Sequence, residues 1–509
     1  MKRILLSLFC LASASLSAQN VYIPDPDLSA YLLTHTGINT NQDTEISYAE
    51  AQAFTGIISA PNLTISDLTG LEAFTNITEV FIPNNNINFA NFTANTALTK
   101  IAIGLNPLTT LDVTGLTNLT ILGADYTLSL ASVDLSTNVN LEVLNLNNNQ
   151  LTSLDVSNNP NLVNFSAGLN QLTTIDLSNN PAIESLSLNQ NNLSSLDLSN
   201  QTNLIWFAVN SNNLTASSLT LPNTSTVTTA YLSDNPLGSI DVSNFTNLEI
   251  LRVNNTNLST IDFSSNTVLE ELEANTNNFT SIDLSSLAQL TSLKLVENDL
   301  TSIDLSNNPG LLQIYLGDND LTSLDVTTNL NLNHLYLQDN LFSSIDVSML
   351  PSLGTLYVSD NANLQIINMA NGNNASIYQF NATNCPNLSC VQLDNGFTPP
   401  AASPGIFWPI DPDKDPNTIY GYTTCSLGVE NTSLAKLSIY PNPASDILNI
   451  QAEEPISSIE IMNLLGQTLL TSKGNSNREQ IDISGLSPGN YFVKIVVGDV
   501  SSVLRIVKK

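Results

Sequence analysis

Histidine is nearly missing from this chain: its 509 residues include only His35 and His334. That leaves no room for a multi-histidine metal centre and little for a histidine relay in nucleophilic catalysis. Basic residues are scarce as well, 13 Lys and Arg against 45 Asp and Glu, for a formal charge of −32. A surface that neutralises phosphates needs the opposite balance, which excludes nucleic acid as a partner. Charged residues of both signs reach only 11%, whereas 42% are hydrophobic, so the chain has material for a core and is no disordered acidic tail. Beyond the N-terminus, no stretch approaches the ~20 apolar residues that cross a bilayer.

The acidity has an address. Residues 431–509 hold seven basic and seven acidic residues, and the first 18 hold only Lys2 and Arg3. Residues 19–430 therefore carry 38 acids against Lys100, Arg252, Lys294 and Lys414, or −34.

The two ends differ from the middle. Residues 1–18 read as a secretory signal: Lys2-Arg3, an apolar run from Ile4 to Ala12, then small residues. Cleavage is expected after Ala18 or at the A-x-A site ending in Ala14. At the other end, β-branched runs split by Gly, Pro and Asn predict a small β-sandwich. The runs are Leu437-Ser-Ile-Tyr-Pro-Asn-Pro-Ala-Ser-Asp-Ile-Leu-Asn-Ile450, Ile459–Gly466, Ile481–Tyr491 and Val503–Lys509. YPNPASDILNI, NLLGQ, LSPGNYFVKI and the basic end, in that order, resemble the type A C-terminal sorting domain of the type IX (Por) secretion system. The resemblance covers residues 434–509. It implies export across the outer membrane of a Gram-negative cell, to its surface or the medium, with the secretion machinery as a partner.

Between the ends one pattern recurs. Leu141-Glu-Val-Leu-Asn-Leu-Asn-Asn-Asn149-Gln-Leu151 continues into Thr-Ser-Leu-Asp155-Val-Ser-Asn-Asn-Pro-Asn-Leu162. The Asp returns at 112, 134, 155, 176, 197, 241, 262, 283, 304, 325 and 346, mostly in steps of 21 or 22, with Thr220 as the interrupted member. Less regular copies surround Asp67, Asn91, Asn368 and Gln392. A fixed period in this range carrying LxxLxLxxN resembles the leucine-rich repeat, here the irregular bacterial type with nested halves of 10 and 11 residues. The expected fold is mainly β: a right-handed solenoid of about 15 coils over 61–395, spanning ~70 Å at the usual strand spacing. Two parallel sheets and almost no helix are expected. A short helical cap over 19–60 precedes it, and a C-terminal cap and linker over 396–433 follow. The Asn column (149, 170, 191, 212, 235, 277, 298, 319, 340 and 361) is expected to satisfy backbone groups of its own and the adjacent coil. Cys385 falls in the same slot as a packed thiol, leaving Cys390–Cys425 as the expected disulfide.

The two faces differ in chemistry. Along the second sheet the middle residue is nearly always Asp. Carboxylates ~4.8 Å apart repel by about 0.9 kcal/mol in water. Two readings apply: a structural stitch in which each Asp accepts from nearby hydroxyls or amides, or a strip bridged by calcium. The first sheet varies, its central outward column running Asn145, Ser166, Ser187, Ala208, Tyr231, Arg252, Glu273, Lys294, Tyr315, Tyr336, Tyr357. Gln313 and His334 lie one column before it, Trp206 beside Tyr231, and Asp318, Asp339 and Asp360 along the far edge. These are the candidate ligand-binding residues, for a protein or a glycan, although cross-strand packing of Tyr and offset of the cations by Glu273 give the same pattern.

In the N-terminal cap, Asp25 precedes Pro26 as a helix cap, with Leu28, Tyr31 and Leu32 on one face. Asn39, Asn41, Asp43, Glu45, Ser47 and Glu50 then place oxygens at the spacing of an EF-hand or dockerin-type calcium loop, with Thr44 where glycine is usual. Ser47-x-x-Glu50 equally forms a capping box; both readings stand at this point. No nucleophile–base pair appears, so the sequence points to a non-enzymatic surface protein for adhesion or recognition. A calcium-stabilised surface-layer spacer without a specific ligand is the alternative.

Overall fold

In the computed structural model the described residues are 19–399, 419–421 and 437–509, except 453, 464–466 and 498–499. The signal segment, Cys425 and most of the expected linker lie outside them. The chain divides into two compact units between Cys425 and Ser426.

The first unit opens with helix α1 (Pro26–Thr34) and helix α2 (Tyr48–Ala53). As expected, Asp25 caps α1: its Oδ1 accepts from the Asp27 and Leu28 N–H groups. Its Oδ2 accepts from Ser66 N, Ser66 Oγ and Asp67 N, binding the cap to the first coil. Burial opposes the ionised form, yet these hydrogen bonds hold the Asp25 pKa below its ordinary value. Leu28 and Leu32 are buried against the coil stack.

Sixteen three-residue strands then form one parallel sheet, from Ile57–Ser59 to Gln379–Asn381. The registers place Asn145, Ser166, Ser187, Ala208, Tyr231, Arg252, Glu273, Lys294, Tyr315, Tyr336 and Tyr357 side by side in the expected order. Inward aliphatics such as Leu272, Leu293, Ile314 and Leu335 are fully buried and stack into one continuous core. A coil can bury that row only against a neighbouring coil, which is why the solenoid is continuous.

Asparagine manages the corners. Asn319 Nδ2 donates to Leu295 O of the preceding coil and to Leu316 O and Gly317 O of its own, at 2.9–3.1 Å. Its Oδ1 accepts from Leu300 N, and Asn170 repeats the same set with Leu146, Ala167, Gly168 and Leu151. The residue before each such Asn has positive φ, including Asp318, Asp339 and Asp360. Cys385 occupies the slot after Asn361, its thiol donating to Val358 O. Cys390 is disulfide-bonded, while its expected partner Cys425 lies outside the described residues. The opposite corner has an amide column of its own, in which Asn159 and Asn308 donate to carbonyls of earlier coils.

The second sheet departs from expectation. It exists only as fragments: Phe89–Asn91 with Thr110–Asp112, Leu196–Asp197 with Leu219–Thr220, and a four-stranded piece from Ser344–Asp346 to Ile419–Gly421. The facing residues there are Asn91 and Asp112, Asp197 and Thr220, Asp346 and Asn368, Asn368 and Gln392. No ladder forms where two aspartates face each other, from Asp112 to Asp197 or from Asp241 to Asp346. Like charges opposite one another destabilise a strand pair, and each Asp Oδ1 also turns to the N–H two residues on, as Asp155 to Ser157 and Asp262 to Ser264 at 2.9 Å. The serine contacts lower these carboxyl pKa values against weak burial.

The second unit is the expected small β-sandwich. Ser438–Tyr440, Ile447–Gln451 and Arg478–Asp482 form one antiparallel sheet, and Ile456–Met462, Thr468–Lys473, Gly489–Val497 and Val500–Lys508 form the other. Leu448, Ile450, Ile459, Ile461, Val493 and Ile495 are buried in a core that both sheets share. Among the described residues no helix is long and apolar enough to cross a membrane.

Replacing Asn319 by Ala strands the buried Leu300 N–H and removes one of two donors from Leu295 O, Leu316 O and Gly317 O, which keep Asn298 Nδ2, Asn340 Nδ2 and Glu297 N; it is expected to cost about 2 kcal/mol. Urea unfolding checks this against Asn307→Ala, whose exposed amide reaches only Ser306 and should cost nothing measurable. Equal midpoints for the two variants would contradict the role of the column.

Candidate recognition face

The outward side chains of the sixteen-stranded sheet form one contiguous line over coils 206–357. Trp206 meets Tyr231 edge-on at 5.9 Å, and the Arg252 guanidinium lies 4.7 Å over the opposite partner, the Tyr231 ring. Arg252 Nη2 pairs with Glu271 at 2.9 Å and its Nε with Glu273 at 3.6 Å, while Lys294 Nζ pairs with Glu273 on the other side. Burial disfavours the Glu273 carboxylate, but Lys294, Arg252 and Asn254 together hold its pKa below the usual glutamate value. The offset by Glu273 is therefore real: both cations are neutralised within the face.

Lys294 Nζ also sits 5.6 Å over the Tyr315 ring, where the aromatic stack begins. Tyr315 and Tyr336 are parallel at 4.4 Å and 8°, and Tyr336 and Tyr357 follow at 4.9 Å and 23°. The strand repeat imposes this, since identical residues in register stand one strand spacing apart. Burial and the neighbouring tyrosines raise the Tyr336 pKa. Gln313 accepts from Tyr315 Oη at 3.4 Å. His334 faces Tyr378 edge-on at 6.4 Å, and Tyr378 is 43% exposed. Sequence reasoning missed Tyr378 because it precedes its strand and falls outside the central column. Cavities of about 550 Å³ beside Thr220 and about 600 Å³ beside Glu50 and Phe54 lie elsewhere on the chain.

The cap loop resolves its two readings differently. Glu50 Oε2 accepts from Ser47 N and Ser47 Oγ, and Ser47 Oγ accepts from Glu50 N, a complete capping box. Glu50 Oε1 accepts from Thr40 N, Thr40 Oγ1 and Asn41 N. Asn41 Oδ1 accepts from Asp43 N, Asp43 Oδ1 from Glu45 N, and Glu45 accepts from the Asn20 amide. Asn39 turns its amide N–H groups to Leu33 O and Asp43 O. Most of the oxygens expected to hold calcium thus accept from the loop's own donors, while Asn39 Oδ1 is buried without a partner. Among the described residues no three Asp, Glu, His or Cys side chains stand together as a metal cluster.

Residues 438–509 match the family described as the secretion system C-terminal sorting domain. No curated protein matches the chain in sequence. In structure, the chain is similar to the functional domain of InlJ from Listeria monocytogenes, which includes a cysteine ladder. The TM-score is 0.60 at 20% identity, over 97% of this chain and 100% of that one. It also aligns with an internalin (inlF) of the same organism, at TM-score 0.49 and 19% identity over 69% and 98% of the two chains. The chain thus carries a type IX secretion-system sorting domain at its C-terminus, which marks it for export, behind a solenoid of the leucine-rich-repeat fold.

Proposed function

We propose that the chain is a non-enzymatic recognition protein, carried by its sorting domain to the outer surface or the medium, that binds a protein ligand across the variable sheet. The observation that carries this reading is the contrast between faces. The aspartate face repeats one structural unit, whereas the sheet from Trp206 to Tyr357 breaks the repeat with aromatic and charged side chains that touch one another. Tyrosine, tryptophan and arginine are the residue types that dominate protein interfaces energetically. A glycan ligand would use the same aromatic face and is the second arm of the test. A ligand-free spacer stiffened by calcium predicts no ligand on either arm and a melting temperature that rises with calcium.

Replacing Tyr315, Tyr336 and Tyr357 together by Ser should weaken ligand binding on protein and glycan arrays at least about tenfold, with little change in thermal stability. Binding that survives would place the site elsewhere. Deleting residues 434–509 should leave the protein in the periplasm by cell fractionation; unchanged export would contradict the sorting role.

A further inference from the structure

The downstream half of the recognition face differs from the upstream half in one respect. Upstream, each cation is matched by Glu271 or Glu273. Downstream, Glu297, Asp318, Asp339 and Asp360 occupy the left-handed position closing four successive strands, and among the described residues none of them has an ion-pair partner. Burial, Glu297 and Asp360 push the Asp318 carboxyl up, and burial, Asp360 and Asp318 do the same to Asp339. These groups repel one another across the coils with no counter-charge nearby.

A second feature of the same coils is independent of charge. Thr355 is fully buried and its Oγ1 has no hydrogen-bond partner; His334 Nδ1 and Gln338 Oε1 are buried and unpartnered too. Thr355 pairs with His334 in register, and both stand on the outward side, alternating with the core residues Leu335 and Leu356. Every other such atom among the described residues belongs to the cap, the second amide column or the ion-paired Arg252. Buried polar atoms left unpaired are costly, and here they collect beside the tyrosine stack.

We propose that the stretch from Glu297 to Asp360, floored by Tyr315, Tyr336 and Tyr357, is an interaction surface for a partner polypeptide segment bearing clustered arginine or lysine side chains. The proposal rests on the recognition reading above and names its partner. Guanidinium and ammonium groups supply what the surface lacks, positive charge for the carboxylates, and they can lie over the tyrosine rings as Lys294 lies over Tyr315. The four acids extend roughly 14 Å along the solenoid, the length of about four extended residues. The net charge of −32 steers such a segment toward the chain before contact.

Octa-arginine peptide is the probe, titrated calorimetrically into the full secreted chain at low and high salt. Asp318→Asn, Asp339→Asn and Asp360→Asn combined should weaken binding about tenfold, the sum of three modest exposed charge contacts. The tyrosine-to-serine triple variant should weaken it similarly. Glu184→Gln, Glu249→Gln and Glu270→Gln combined remove the same charge from exposed positions outside this stretch and should leave affinity within about twofold. Equal losses in the two charge variants would mean binding to bulk acidity only and would overturn the proposal, as would an unchanged affinity in the aspartate variant. A melting temperature at the wild-type value in each variant excludes misfolding as the cause. If an array ligand is lost in the tyrosine variant but kept in the aspartate variant, the recognition face stands and the cationic partner falls.

Discussion

Everything in the solenoid depends on one constraint: adjacent coils must sit a strand spacing apart along the whole stack. Inward leucines set the distance by packing, and corner asparagines fix it by hydrogen bonding across coils, as Asn319 does to Leu295 O. The amide suits this task because it offers two N–H donors and an acceptor from a short side chain. Once the spacing is fixed, any residue type that repeats with the period becomes a column of identical groups in contact. Columns of leucine give a core, columns of amide give corners, and columns of tyrosine give a parallel stack. Columns of carboxylate give repulsion.

That last consequence explains why the two faces have different backbone structure although their half-repeats are alike. On the variable face few neighbours share a charge, and the ladder runs unbroken through sixteen strands. On the opposite face no ladder forms where aspartate faces aspartate, and each pair that does form has Asn91, Thr220, Asn368 or Gln392 on one side, although Thr220 and Asp241 also face without a ladder. The aspartate row of this face is therefore structural, an exposed column tied down by the serines and threonines two residues on. The acids at 297, 318, 339 and 360 belong to the other face; Glu297 accepts from Thr276 and Asp360 from Asn384, but among the described residues none is ion-paired, which is why they fit recognition.

Much of this was legible beforehand, because a solenoid turns sequence period directly into spatial adjacency. The order of the variable column, the role of the asparagines, the placement of Cys385, the Asp25 cap and the C-terminal sandwich all followed from spacing. The incomplete second sheet did not, because strand propensity is judged one segment at a time, whereas repulsion belongs to pairs of coils. The choice between the two readings of the cap loop was not legible either: ligand spacing says which oxygens are present, and only the fold shows the capping box, with Glu50 facing Ser47 and Thr40. Tyr378 and the unpartnered Thr355 were invisible because neither breaks the repeat at a position the period singles out.

Amide hydrogen exchange resolved to single residues tests the central claim, that facing carboxylates keep the second face from forming a ladder. The N–H groups of Leu196 and Leu198, bonded to Ser218 O and Thr220 O, should exchange slowly. Those of Ile261 and Phe263, flanking Asp262, should exchange quickly, and should slow when Asp241, Asp262 and Asp283 are replaced by Asn. Uniform protection along the aspartate face, or no slowing in the variant, would contradict the account.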